Sequence, residues 1–439
     1  MLKIYYFFDF FYSIFCYNVK TKLYFGNKMN TKNIKKLPVV KSAMLSMLLL
    51  GVSISTLQAD TLAEILSPEK RDIFKYQEQR NDLEADKLKK SWVNPLRLQY
   101  RKNYSTQMID RDTQTETYSV VMDQPIFKSG GIFHSIKYSD ALRGANATAI
   151  KLQKRAMIGS AVTILYNIKR LQLQQEKLKL VISSDEIDIK FKSDSYEAGI
   201  LDSSFLDQAI IKRNSDETEL LASQIEMEKL KNNFALLSDK DPKQFKTPKL
   251  KLLDETLYQR ENLELKTDKL RAKEKEYLSK MTWSKYLPEV SVQGQYVDGD
   301  LNPVYPNPNL KEQYTTYGVT VSIPLSINTI DDIESSRVAY LEASTQVIDR
   351  EKSVRLEYQM IINNLNILDK KIALDKKDEK LYQRLYKVTK NLAEAGEKTK
   401  FDTQLIHNSL LIKQLDQQIH SIDKQLQLLT LYIKVNDVF

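Results

Sequence analysis

The sequence has little of what builds reactive or cross-linked sites. One cysteine, Cys16, stands among 439 residues. That excludes a disulfide framework, a thiol redox pair and a cysteine-ligated zinc site. The three histidines, His134, His407 and His420, are well separated, so metal chemistry has little to work with. The chain carries no GxxxxGK[ST] phosphate loop, no HExxH and no GxSxG. No enzyme activity, catalytic residue, metal or cofactor is therefore expected. Charge of one sign is lacking too, once the N-terminus is set aside. The formal net charge is +9, but residues 1–59 hold eight lysines and one acid, leaving 58 basic and 56 acidic residues from Asp60 onward. A nucleic-acid partner, which needs its cations on a working face, is not expected.

The lysine-rich start has the pattern of a processing segment. Residues 1–25 carry an aromatic run, Tyr5 to Phe8 and Phe10 to Tyr12, broken by Asp9 and Asn18. From Met29 the order is cleaner: Lys32, Lys35, Lys36 and Lys41, an apolar stretch from Ala43 to Ile54, then Thr56-Leu57-Gln58-Ala59. This is the layout of a secretory signal peptide. Translation is expected to start at Met29 and cleavage to follow Ala59, although Leu57 is a poor residue three positions before the cut. The alternative is a membrane anchor.

Proline and glycine, eleven each, are scarce, and their positions carry the organisation. Two proline-free stretches, 126–241 and 325–439, are rich in Leu, Lys, Gln, Glu and Ala, the strong helix formers. Gly199 and Gly396 are the points at which each stretch can turn back. Each half therefore reads as one very long helix, a turn at a single glycine, and a returning helix of about 40 residues. Such a helix is about 90 Å long at 60 residues, more than a compact domain needs.

Before each stretch stands a pair of strand signals. Leu96, Leu98 and Tyr100 alternate with polar residues, and Tyr118, Val120 and Met122 lead to Pro125-Ile126-Phe127. In the second half, Val290, Val292 and Tyr296 alternate after Pro288, and Val319, Val321 and Ile323 lead to Pro324. Each run is about ten residues, enough to cross a bilayer at a tilt. Offsets between matching landmarks are nearly constant: 191 from Trp92 to Trp283, 199 from Pro125 to Pro324 and 197 from Gly199 to Gly396. The expected organisation is an N-terminal extension (1–59), a first repeat (60–241), a linker (242–249) and a second repeat (250–439), each repeat being helix, strand pair and long helical hairpin.

Oligomerisation follows from strand counting. Four strands cannot close a membrane barrel, which takes about eight, and an open sheet in lipid leaves unpaired backbone groups at two edges. Three chains give twelve strands, continued by their long helices as a second, helical cylinder. The expected fold class is mainly α with membrane β, internally duplicated, with four strands per protomer completing a 12-stranded trimeric β-barrel.

The chain resembles the TolC-like outer membrane factors, the exit ducts of efflux pumps and type I secretion systems. The resemblance rests on Gln124-Pro125-Ile126-Phe127 with Gly130-Gly131, on Ser322-Ile323-Pro324-Leu325, and on Leu287-Pro288 entering Val290 to Tyr296. It also rests on Tyr196-Glu197-Ala198-Gly199 running to Leu206-Asp207-Gln208-Ala209, and on Ala395-Gly396 running to Phe401-Asp402. It spans about residues 62–437.

What the resemblance implies is a homotrimer in the cell outer membrane with a large periplasmic part. Its partners would be outer membrane lipid, a periplasmic adaptor protein and an inner membrane transporter of RND or ABC type. Tyr196, Gly199 and Gly396 would lie at the periplasmic docking tips, with Asp402 and Lys398 at the aperture gate. Leu405 stands where a second gate aspartate is often found, and Ala393 where a gate tyrosine is found. Two other classes compete. A periplasmic adaptor would have a single central hairpin flanked by small β-rich halves, and a structural coiled coil would show sustained heptads without strand alternation.

Overall fold

The computed structural model describes residues 64–107, 109–300 and 309–436, which belong to one unit, Thr56–Phe439. The expected signal segment, its exit at Ala59, most of the Pro-rich loop after Asp298 and the terminal Phe439 lie outside the described residues. The elements run in the order α1 (Pro68–Lys89), β1 (Arg97–Ser105), β2 (Thr113–Phe127), α2 (Gly131–Glu197), α3 (Ser203–Ala235), α4 (Glu255–Glu261), α5 (Leu263–Ser284), β3 (Glu289–Gly299), β4 (Gln313–Ser322), α6 (Thr329–Glu394) and α7 (Lys400–Lys434). A short 3-10 turn, Pro242–Gln244, follows α3.

The two long helices have 67 and 66 residues, so each is about 100 Å long. Both stop by the same device. Gly199 has φ +72° and Gly396 φ +80°. The Gly199 N–H donates to the Tyr196 carbonyl (2.9 Å) and the Ile200 N–H to that of Ser195 (2.9 Å). At the second turn Gly396 donates to Ala393 (3.2 Å) and Glu397 to Leu392 (2.9 Å). This paired bonding satisfies the last carbonyls of each helix and requires a left-handed residue, which glycine supplies without a Cβ penalty. Three residues after each glycine stands the cap of the returning helix. The Asp202 carboxylate accepts from the Ser204 N–H, and the Thr399 hydroxyl from the Asp402 N–H.

The helix expected to open the second repeat is divided. Asn262, fully buried, ends α4 and caps α5, its Oδ1 accepting from the Leu265 N–H at 3.0 Å. Its backbone bridges to Val435, and the Asn436 N–H donates to the Glu261 carbonyl (3.2 Å). The residues just after α7 thus take the place where a continuous helix would pass. The main core lies near this break, where Phe74, Val162, Phe234, Tyr258, Tyr358 and Leu429 are all buried.

The strands form one antiparallel sheet in the order β1-β2-β3-β4. Expected lengths of about ten residues hold for three strands, of 9, 11 and 10 residues, while β2 has 15. The extra length lies at its start, residues 113–117, ahead of the alternation that begins at Tyr118, and Pro125 sits inside the strand at a register shift between Pro125 and Phe127.

Candidate conduit wall and helical tips

Register and alternation sort the strand residues onto two faces. One face carries Leu98 opposite Val120, Tyr100 opposite Tyr118, Val120 opposite Tyr296, and Val292 opposite Val319. The other carries Gln99 opposite Ser119, Arg101 opposite Thr117, Val121 opposite Gln295, and Ser291 opposite Thr320. The apolar face is wet in the single chain: Leu98 is 76% exposed and Tyr317 86%. A two-faced sheet with an exposed apolar side fits lipid on one side and water on the other. Strands β1 and β4 are both edges, and both are almost wholly exposed.

The helices continue this wall. On the sheet side of the core, α2 packs against α1 and α5, and α5 against α6; on the tip side, α2 packs against α3 and α7, and α7 against α6. Polar contacts fix these neighbours. Lys89 meets Asp140 (3.1 Å), Arg350 meets Asp268 (2.8 Å), and His420 Nδ1 meets Asp375 (2.6 Å). Lys212 pairs with the buried Asp185 across α2 and α3. The outer flank of α6 has no neighbour among the described residues. It carries Met360, Ile367, Leu374, Leu381 and Val388 at a spacing of seven, 45–59% exposed.

The two turns lie side by side because α2 and α7 run antiparallel in continuous register. Arg170 pairs with Asp423 (3.2 Å) and Lys177 with Asp416 (2.7 Å). Nearer the turns, the Asn408 amide donates to the Ser184 hydroxyl (3.1 Å), and the Lys190 ammonium lies 4.8 Å from the Phe401 ring centre. The structure therefore brings Tyr196 and Gly199 to the same end of the helix layer as Gly396, Lys398 and Asp402. The first turn exposes Tyr196 (48%), Ile200 (76%) and Phe205 (48%) beside the exposed acids Asp194, Glu197 and Asp202. The second is charged, with Glu394, Glu397, Lys398 and Lys400 around Gly396.

Asp402 has a structural task in the single chain. Its Oδ2 accepts from the Thr399 N–H (2.9 Å) and hydroxyl (2.8 Å) and completes a capping box. These bonds hold its carboxyl below the usual range, with a smaller contribution from the Lys398 ammonium. The Thr399-Lys400-Phe401-Asp402 spacing is a sequence signal for this box, one that the reading of Asp402 as a gate residue passes over. The Lys190–Phe401 contact has no such signal, since its partners belong to different hairpins. Among the described residues no group of acidic, histidine or cysteine side chains could hold a metal. No helix among them is long and apolar enough to cross a membrane.

The fold has solved counterparts. The outer membrane protein VceC of Vibrio cholerae superimposes with a TM-score of 0.68 over 87% of this chain and 96% of its own, at 15% identity. The CmeC outer membrane channel of Campylobacter jejuni gives 0.67 over 86% and 85%, at 11% identity. The chain has the fold of bacterial outer membrane channels. The open state of the Neisseria gonorrhoeae MtrE outer membrane channel is more distant, with a TM-score of 0.57 over 85% of this chain and 89% of its own. No protein-family model matches the sequence, and no curated protein does either. The outer membrane channel fold is matched over 85–87% of the chain at 11–15% identity.

Proposed function

We propose that the chain is one protomer of a homotrimeric exit duct in the outer membrane, a TolC-like outer membrane factor. The observation that carries this reading is the four-stranded sheet: two unpaired edges, one apolar face, one polar face, and helices of about 100 Å continuing from it. Because the strands are antiparallel and even in number, β4 of one copy meets β1 of the next in antiparallel sense, and the same contact repeats around a ring. Three copies supply twelve strands, within the range of closed membrane barrels. Closure pairs backbone groups that would otherwise each cost several kcal/mol in lipid.

In this reading residues 60–241 and 250–439 are two copies of one unit joined by 242–249. The first turn, with its exposed apolar side chains and acids, and the second, with its mixed charges, form the periplasmic end. Tyr196, Gly199 and Gly396 lie where an adaptor protein of a tripartite efflux or type I secretion system would dock. Lys398 and Asp402 lie where an aperture would be narrowed, and three Asp402 carboxylates would form a ring. The duct is passive, with energy supplied by an inner membrane transporter. The adaptor alternative has no use for an open sheet with an exposed apolar face.

The test is direct. Purified from the outer membrane fraction in mild detergent, the chain should migrate as a heat-dissociable trimer and open conducting pores in planar bilayers. Recovery as a soluble periplasmic monomer would remove the reading.

A further inference from the structure

The polar face of the sheet is neutral over most of its length. Thr113, Thr115, Thr117 and Ser119 stand on β2, and β4 offers Tyr314, Thr316, Gly318, Thr320 and Ser322. Against this background β1 places two cations, Arg97 and Arg101, on the same face, both exposed. Neither makes an ion pair among the described residues, whereas Lys102 on the opposite face is paired with Glu116 (2.7 Å). The carboxylates of this face lie at the helix end of the sheet. Glu289 is paired with Lys128 (3.3 Å), and Asp123 is one strand step beyond the partner of Arg97. At the turn end, Asp300 accepts from the Glu116 N–H (2.7 Å) and Asp298 from the Gln313 amide (3.0 Å).

We propose that Arg97 and Arg101 form an anion-binding site inside the strand-built part of the duct, selecting polyvalent oxyanions. The site rests on the trimeric duct reading, since it is assembled from three copies. The two arginines are four positions apart, which puts the two rings about 10 Å apart along a tilted barrel. Twelve strands spaced about 4.8 Å apart at such a tilt give a backbone radius of about 12 Å. An arginine reaching inward brings its guanidinium to about 6 Å from the axis, inside the Debye length of about 8 Å at physiological salt. Six such groups cannot be avoided by a passing solute. Guanidinium also suits the ligand class, because its fork binds phosphate, sulfonate or carboxylate oxygens bidentately and keeps its charge at any physiological pH. Across the seam the adjoining β4 face carries no acid that could neutralise it.

Single-channel recording on the purified trimer tests this, with sodium tripolyphosphate as the probe added from the strand side. Wild type should be blocked from that side, with the half-blocking concentration raised at least tenfold in Arg97→Gln/Arg101→Gln and largely retained in Arg97→Lys/Arg101→Lys. A wild-type pore indifferent to tripolyphosphate, or a glutamine double variant blocked as readily as wild type, would overturn the site while leaving the duct standing. Absence of any conductance from wild type would overturn the duct and the site together.

Discussion

Asp402 is asked to do two things, and residue-level chemistry separates them. As the partner of Thr399 it closes a capping box, worth about 1 kcal/mol to the start of α7. As a member of a threefold carboxylate ring it would attract cations. Thr399→Ala removes the cap but leaves the charge, and Asp402→Asn removes the charge. Cation block of single channels should therefore survive in Thr399→Ala and weaken in Asp402→Asn; equal block in both variants and in wild type would mean that no ring exists. The caps also set a pH dependence. Hydrogen bonds from Ser204 to Asp202 and from Thr399 to Asp402 hold both carboxyls below their usual range. A carboxyl lowered on folding stabilises above its unfolded value and loses that contribution as pH falls through the folded one. Amide protection factors at the first turns of α3 and α7 should hold above about pH 4 and decline below it.

Glycines divide by environment in the same way. A Cβ at Gly396 meets nothing within 4 Å, so Gly396→Ala costs only backbone strain, about 1 kcal/mol. A Cβ at Gly159 would overlap the Ile433 side chain, where α2 and α7 touch. Gly159→Leu should cost more, about 1–3 kcal/mol, read as a lower dissociation temperature of the trimer.

At the scale of elements, the stripe on α6 is the clearest unsatisfied surface. Val354, Tyr358, Ile361 and Leu365 on its other face are buried, so α6 has two apolar faces and a neighbour for one. A spacing of seven drifts slowly around a straight helix, which suits a partner wrapped at a shallow angle. Ile367→Lys/Leu374→Lys should abolish the trimer on a non-denaturing gel while leaving helix content by circular dichroism unchanged. Persistence of the trimer would mean that α6 does not lie at a seam. Elements were unequally legible in the sequence. The reversals at Gly199 and Gly396 could be read because a left-handed turn is a local demand with one preferred residue. The break at Asn262 could not, because it depends on Val435, 173 residues away, and because asparagine is tolerated inside helices. The start of β2 escapes the sequence for a related reason: residues 113–117 carry no apolar alternation, and only pairing with β1 makes them a strand. Both turns were legible through their glycines, but their adjacency follows from the α2–α7 register, which no single segment encodes.

For the whole molecule the decisive quantity is the number of strands that a ring of copies can supply. Glu289 and Ser322 are register partners at the helix end of the sheet, so their backbones are about 5 Å apart. Residues 289–322 can therefore be replaced by a short glycine linker without pulling α5 and α6 apart. Such a chain keeps β1 and β2 and all its helices, and the helical contacts between α2, α5, α6 and α7 remain available. Three copies would then supply six strands, fewer than the roughly eight that the narrowest closed membrane barrels use. The shortened chain should fold its helices, giving a strong helical circular dichroism signal, yet yield no heat-dissociable trimer in the outer membrane fraction and no conductance in planar bilayers. A conducting trimer from this variant would mean that the helices alone enclose the water path, and that the sheet is an attachment to the duct instead of its wall.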